Sequence, residues 1–485
     1  MVLVIAVVGI VVIAALGFLG RRRPAADLAE WTVAGRKFGV TTMWLLQAGE
    51  VFTTFTFLGT AGLVASSGAA SFYSMPYVPL GYIVLYFLAP LIWRRARKHG
   101  YLTQADFFEG TYRSRTLGIV VAVLGVVFLL PYLQLQITGL GKIVQLATGD
   151  KTSGDASMVI AFVLVVAFVL WSGLHGVATT SYFKDALMLI VLIVTSLAIP
   201  IGLSGGFTQV FHRVAEALPG SLYVHTTGDY DVLWYISNMA ISTIGVAFAT
   251  LPHQWPALMA ARSATVLRKN YVWLPIYNTF VVLPLVVGYV GLLVLKGHGD
   301  PDATMLALAS QALPPWLLGV VVVAGIATAM VPSAGLLIAI SSLVARNLAR
   351  AKSPKAQFRV NQATVVVATA AALVLGLVKP DALANLLLLT FSGLDQLAPA
   401  IGSALLFKRN VLRAPAALAG IVAGEVVVIF LTFAPADLAA SLAGTVNVGL
   451  IGLAVNLVVA AVVEAVHRRM APPPAPELSA AAVRA

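Results

Sequence analysis

The chain has 485 residues, of which 60% are hydrophobic and only 10% charged, with a formal net charge of +12. That charged fraction is far below the roughly 25% of a soluble domain, which excludes an ordinary globular fold and predicts an all-α polytopic membrane protein. No cysteine is present, so disulfides, thiolate metal sites and cysteine nucleophiles are excluded too. The basic residues lie between apolar runs instead of gathering on one soluble face, so the charge reads as a topology signal and no nucleic-acid partner is expected.

Apolar runs of about 18 to 25 residues mark helices able to cross a bilayer. They fall near 2–19, 38–65, 71–93, 115–147, 157–175, 182–204, 233–260, 271–296, 314–347, 361–378, 384–407, 413–433 and 444–467, about thirteen in all. The first lacks a basic stretch before it and is followed by Arg21, Arg22 and Arg23, so it reads as a spanning helix entering from outside, not as a signal peptide. The positive-inside rule supports an outside N-terminus and an inside C-terminus. With that orientation all 31 basic residues except Lys142, Lys151, Arg213, Lys296 and Lys379 fall in cytoplasmic segments, Lys184 among them. Residues 1–470 are therefore expected to form a single transmembrane domain. The Pro- and Ala-rich stretch 471–485, APPPAPELSAAAVRA, reads as a disordered cytoplasmic tail. The segment RRARKHGYLTQADFFEGTYRSR mixes basic and aromatic residues, as in an amphipathic piece lying at the interface, and the loop 205–231 is expected to hold a short surface helix.

The second run carries the most informative polarity. Within WLLQAGEVFTTFTFLGTAG, Glu50 sits near mid-span, preceded by Gln47 and Gly49 and followed by Thr53, Thr54 and Thr56. An acid at the centre of a spanning helix costs about 2.5–3.5 kcal/mol or more, so it faces a protein interior or a wet cavity. Two readings fit: a protonatable group in a translocation site, or a protonated carboxyl bonded between helices. Further along, Gln134 and Gln136 are polar at depth and either line a path or cross-link helices, and Lys142 either draws an anion to the mouth or snorkels. Asp185 follows Lys184 where the sixth run starts and reads as an acid at a helix end. His253 stands between Pro252 and Pro256 in a stretch expected to break the helix and free backbone groups for a ligand. Pro332, beside Thr328 and Ser333, predicts a kink with hydroxyls at hand for the freed carbonyl. Asp395 and Glu425 also lie nominally at membrane depth.

No nucleotide-binding GxxxxGK[ST] loop, HExxH or GxSxG stretch occurs, and the seven His are scattered. An ATP-driven pump, an enzyme and a metal centre are therefore disfavoured, and no cofactor is implied. Between a channel and a carrier, interrupted helices favour alternating access.

Taken together, WLLQAGEVFTTFTFLGTAG, HGYLTQADFFEGTYRSR, FKDALM, PHQWPALMAARS, SSLVARN and LAPAIGSALLFKRN resemble the sodium/solute symporter family over nearly the whole chain. The first stretch, FKD, the PH motif with ALMAARSATVLRKN, and VPSA are most similar to its monocarboxylate permease branch. The resemblance implies a LeuT-type fold of two inverted five-helix repeats, about 38–204 and 233–407, in a bacterial-type cell membrane. It also implies uptake of lactate, pyruvate, acetate or propionate. By position, the backbone at Gly49 and Phe52 falls where sodium-coupled members supply carbonyl ligands, and Phe55 and Thr56 face the substrate. Where those members carry two adjacent hydroxyl residues, this chain has Val331 and Pro332, which offer no side-chain oxygen; Thr328 and Ser333 are the nearest hydroxyls.

These departures predict a proton-coupled symporter. Glu50 would carry the proton, Asp185 would assist its exit to the cytoplasm, and Gln47, Phe55, Thr56, Gln136 and His253 would meet the substrate. No Arg lies deep in any span, so helix N-termini, hydroxyls and amides are expected to hold the carboxylate. Sodium coupling on the same fold, an amino acid or another small solute as substrate, and a sensor or channel role are the alternatives.

Overall fold

The computed structural model describes residues 1–20, 27–149, 153–296, 298–407 and 411–470. Arg21 to Arg23, Lys151, Lys408, Arg409 and the tail 471–485 lie outside them. Among the described residues every regular element is helical, and nine helical stretches are long and apolar enough to cross a membrane. The shorter apolar stretches Val2–Gly17, Gly154–Leu170 and Val232–Ala247 add to these.

The chain opens with α1 (Val2–Gly20) and the short α2 (Leu28–Val33), whose first turn is capped by Asp27 accepting from the Glu30 amide at 2.7 Å. The first interrupted helix follows: α3 (Val40–Val51), a gap, a π-helical turn (Phe55–Gly59) and α4 (Thr60–Ser67). Helix α5 (Tyr77–His99) leads into α6 (Gln104–Tyr112), then α7 (Arg115–Ala147), α8 (Gly154–Ser204) and the short α9 (Phe207–Ala217) expected in the 205–231 loop.

The second half begins with another interrupted helix, α10 (Val232–Ala247) and α11 (Gln254–Ala260). It continues through α12 (Ala264–Asn278), α13 (Val282–Val294), α14 (Thr304–Ala312) and α15 (Pro315–Ser342), which runs on into a π-helical Leu343–Leu348. Then come α16 (Pro354–Val378), α17 (Leu383–Leu394) and α18 (Ala398–Leu406), the last two joined by a 3-10 turn at Asp395. Helices α19 (Ala414–Phe433), α20 (Ala436–Ala443) and α21 (Val448–Met470) close the chain, with α19 and α21 packed on each other.

Helix α15 is the axis of the bundle. Its apolar window is wholly buried, and it packs against α1, α3, α7, α8 and α16. The Ala- and Gly-rich stretch from Gly319 to Gly335 permits that crowding, because without a hydrophobic drive between helices in lipid, close backbone approach supplies the contact.

Three expectations are corrected. First, α8 is continuous except at Gly173, which turns the chain at φ +57°. The sixth span therefore begins soon after Gly173 instead of at residue 182, and Lys184 and Asp185 lie about three turns inside it. Lys184 has no solvent exposure and is not part of a cytoplasmic connection. The apolar run missed this because HGVATTSYF is polar by composition. Its hydroxyls are nonetheless satisfied within the helix: Thr179, Thr180 and Ser181 donate to His175 O, Gly176 O and Val177 O at 3.0, 2.9 and 2.9 Å, a local bond that lets polar residues stay at depth. Second, α6 does not simply lie on the surface, since Phe107 and Phe108 are fully buried and Gln104 reaches the interior. Third, the hydroxyls beside Pro332, which sits within the helix Pro315–Ser342, do not relieve the carbonyl that it frees. Thr328 and Ser333 donate to Ala324 O and Ala329 O, both at 2.7 Å, not to the Thr328 carbonyl that the proline frees.

The two interrupted helices are tied together at the end rich in Arg and Lys. Phe38 N donates to Ala260 O and Arg262 N to Phe38 O, each at 3.0 Å. The Arg36 guanidinium reaches Tyr101 O at 2.6 Å. At the opposite end, the loop before α14 covers the bundle: Asp302 accepts from Leu383 N at 3.0 Å, and Lys142 pairs with Asp300 and Asp302. Lys142 is thus held by the carboxylates of this loop.

Candidate functional site

The first interruption spans Phe52 to Thr54. Phe52 is extended (φ −83°, ψ 93°), so carbonyls near the end of α3 lose their helical donors and must be satisfied otherwise. Lys184 from α8 supplies them: its Nζ donates to Gly49 O at 2.8 Å and Phe52 O at 2.6 Å, and lies 3.2 Å from Asp185 Oδ1. On the far lip of the gap, Gln136 Oε1 accepts from Thr54 N at 3.3 Å and Thr54 Oγ1 at 2.8 Å. Gln136 therefore caps the break, which accounts for its polarity at depth. Gln134 acts elsewhere, donating to Lys379 O at 3.0 Å.

Glu50 is 5% exposed, and its Oε1 has no hydrogen-bond partner. It faces α15 at Gly335, where a Cβ would stand 3.3 Å from that oxygen. Gly335 is one turn beyond Val331, on the same face of α15, so the acid lies beside the segment that departs from the pattern of sodium-coupled members. Val331 and Pro332 are themselves buried. On the other side, a Cβ at Gly49 would meet Ser181 Oγ at 3.0 Å and Asp185 Oδ1 at 3.2 Å, so α3 and α8 are in direct contact there. Both Asp185 oxygens lack a well-formed hydrogen bond, and the Tyr277 hydroxyl lies beside them. Tyr277 also packs edge-on against Phe52, with ring centroids 4.5 Å apart.

The other predicted residues spread around this centre. Gln47 Oε1 accepts from Asn270 Nδ2 and its Nε2 donates to Tyr271 Oη at 3.3 Å, which ties α3 to α12. Thr56 Oγ1 donates back across the gap to Val51 O at 3.3 Å, and Phe55 is buried at the start of the π-turn. His253 lies in the second interruption, between Ala247 and Gln254, as its flanking prolines predict. Its Nδ1 has no partner, and its ring packs edge-on against Tyr132 at 5.4 Å.

That second break is satisfied by neutral donors. Gln104 Nε2 donates to Ala249 O at 3.1 Å and Thr250 O at 2.8 Å, and Trp255 Nε1 to Ala249 O at 2.8 Å. Asp395 Oδ1 accepts from Thr250 Oγ1 at 2.6 Å. Glu425, on α19, is buried with both oxygens unpartnered. A cavity of about 990 Å³ opens at the basic end between Arg36, Lys37, Ser172, His175 and Arg346, apart from these residues.

Sequence reasoning missed Lys184, Asn270, Tyr271, Tyr277 and Gln104. For Lys184 a signal existed: a Lys-Asp pair with apolar residues on both sides is hard to keep at a surface. For the aromatic and amide residues of α12 none did, since their side chains also suit ordinary core packing.

Two interrupted helices tied together at one end of a bundle, with a buried acid at each break, are the architecture of a secondary transporter. The chain belongs to the sodium:solute symporter family, whose model matches residues 31–424. It is 34% identical over 469 residues to the uncharacterized symporter YhjB of Bacillus subtilis, covering 94% of each chain. It is 30% identical over 481 residues to a monocarboxylate transport permease protein of Rhizobium johnstonii, covering 95% of this chain and 96% of that one. Among solved structures, a sodium-coupled sialic acid symporter in a substrate-bound outward-open state superimposes with a TM-score of 0.74 at 15% identity, covering 98% of both chains. The chain is thus a multi-pass membrane protein of a family of symporters.

Proposed function

We propose that the protein imports a small monocarboxylate, of the size of lactate, pyruvate, acetate or propionate, together with a proton carried by Glu50. The basic end faces the cytoplasm, the chain crosses the membrane thirteen times, and residues 1–470 act as one transport domain. The 30% identity to a monocarboxylate transport permease over almost the whole chain supports the substrate class.

One observation carries the coupling: a buried cluster of two acids and one base, Glu50, Asp185 and Lys184, in which Glu50 Oε1 has no partner. Uncompensated charge is very costly in such a place. With Lys184 charged, the cluster is neutral when a single proton is shared by the two acids, and it carries one negative charge when that proton leaves. Loading one proton is therefore what allows the site to be buried, and losing it favours a wetter, open state. Asp185, beside the Lys184 ammonium and against Gly49, gives the proton a second acceptor on the way out. His253 Nδ1, free of any partner, is available to the substrate from the second break, and Phe55 and Thr56 border the first.

The test is uptake of radiolabelled lactate or pyruvate into proteoliposomes under a proton gradient and, separately, a sodium gradient. Accumulation driven by inward protons without sodium is expected. Accumulation that needs sodium transfers the coupling to a sodium site, and absence of uptake under either gradient removes the monocarboxylate assignment.

A further inference from the structure

We propose that Lys184 is a built-in cation: its ammonium fills, permanently and from within the chain, the place that a mobile coupling ion would need at the first helix break. Unwound carbonyls at the midpoint of an interrupted helix are the usual ligands for a coupling cation. Here two such carbonyls, Gly49 O and Phe52 O, converge at 2.8 and 2.6 Å on one ammonium, with the Asp185 carboxylate 3.2 Å away. The Ser181 hydroxyl, which borders Gly49, is already committed to Val177 O at 2.9 Å. The donor set is two neutral oxygens and one anionic oxygen around a single positive charge, and the side chain that brings the charge is wholly buried. An ion arriving from solution would have to displace a covalently attached competitor, whose local concentration no bulk salt can match.

The inference rests on the reading above for the idea that this break is the coupling site, and it sharpens that reading. Because the cation is tethered, the break is held in one geometry at all sodium concentrations, and any coupling must come from a group other than a bound metal ion. Removing the ammonium should empty the place and turn it into an ion site. Methylammonium, ethylammonium or sodium could then occupy it.

The experiment reads the cation place without using any driving gradient. Purified wild-type protein and Lys184→Ala are compared by thermal unfolding, and by substrate exchange in liposomes at equal pH on both sides, in choline chloride and then with added sodium, methylammonium or ethylammonium. For the wild type, neither the unfolding temperature nor the exchange rate should change when sodium replaces choline. For Lys184→Ala, exchange should fall roughly a hundredfold, as expected for two charged hydrogen bonds lost, and tens of millimolar of at least one of the three cations should restore part of it and raise the unfolding temperature. Sodium stabilisation or acceleration of the wild type overturns the proposal, as does Lys184→Ala exchanging at the wild-type rate in choline. A folded, inactive Lys184→Ala that no cation restores overturns it too, since the lysine would then serve packing alone. If Lys184→Ala does not fold, the wild-type arm decides. A wild type that is sodium-indifferent yet fails to accumulate substrate under a proton gradient leaves the tethered cation intact and removes only the proton-coupled reading.

Discussion

At the first helix break the carbonyls of Gly49 and Phe52 accept from an ammonium, whereas at the second those of Ala249 and Thr250 accept from the amide of Gln104 and the indole of Trp255. Both solve the same problem, since interrupted backbone at membrane depth must be satisfied by protein. The solutions respond to different variables. Neutral donors satisfy the freed carbonyls of the second break at any pH or salt, although the Thr250 hydroxyl there also donates to the buried Asp395 carboxyl. The first is held by a charge whose balance depends on the protonation of Glu50 and Asp185, so the binding of one proton changes its energy. Both interruptions hold a buried acid, but only at the first does an ionised group cap the freed carbonyls, and that is where coupling is to be sought.

The largest effect expected from this contrast comes from Glu50→Gln. A gradient of one pH unit can sustain about tenfold accumulation when one proton moves with each substrate. Glu50→Gln keeps the side-chain shape and removes the proton, so accumulation should fall to the level of simple equilibration while exchange across equal pH persists. Asp395→Asn at the second break is the matched control. It keeps an acceptor for the Thr250 hydroxyl, and accumulation should stay within about twofold of wild type. Unchanged accumulation in Glu50→Gln, or a collapse in Asp395→Asn, would erase the distinction between the breaks.

Next in size are the caps themselves. Gln136→Leu leaves the Thr54 amide without its acceptor, and Gln104→Leu leaves the Thr250 carbonyl without its donor. Each should lower stability by about 1–3 kcal/mol, the penalty of one orphaned buried polar group, visible as a lower unfolding temperature in detergent. The comparison sharpens if exchange is followed as well: Gln136→Leu, at the charged break, should slow it more than Gln104→Leu does. A smaller effect is expected at Gly335, where the added methyl of Gly335→Ala would press on Glu50 Oε1 from 3.3 Å. The carboxyl end of Glu50 need yield only a few tenths of an ångström, so the cost should be about 1 kcal/mol, at the low end of overpacking. Glu50→Asp in the same chain, withdrawing the carboxyl by one methylene, should recover part of the lost exchange rate.

How far the site is legible in the sequence follows from where its signals are local. The break at His253 is readable because Pro252 and Pro256 act on their own backbone, and Glu50 is readable because an acid inside an apolar run is anomalous whatever surrounds it. The helical bundle is equally legible, since hydropathy alone dictates spans. Lys184 is easily misplaced because the hydroxyl-rich turn before it looks like a boundary until one knows that Thr179, Thr180 and Ser181 bond back within α8. Gln104 escapes for a different reason. Its partners are 145 and 146 residues away in the chain, and no spacing rule links an amphipathic connecting helix to a break that distant. Pro332 teaches the converse, for a proline inside a span predicts a kink whose hydroxyl relief the helix does not use.

The smallest expected effect lies away from both breaks, at the start of α10. Asp231 caps that helix, accepting from Trp234 N at 2.8 Å and from the Thr445 hydroxyl at 2.6 Å, which joins the second half of the core to the loop before α21. The Thr445 hydroxyl, followed by the Trp234 amide, holds its carboxyl below the ordinary carboxylate range. A carboxyl so depressed in the folded state adds stability above its unfolded pKa, near 3.9, and that contribution disappears as pH falls through the lower folded value. Asn caps a helix about as well as Asp, so what Asp231→Asn loses is the negative charge at the helix N-terminus, and it should unfold at a slightly lower temperature than wild type at pH 7, by the equivalent of about 0.3–1 kcal/mol. The gap should narrow as pH drops below about 4. Proton-driven accumulation should be unaffected, because this carboxylate has no part in the charge balance of Glu50, Lys184 and Asp185; a loss of accumulation in Asp231→Asn would mean that coupling extends beyond the first break.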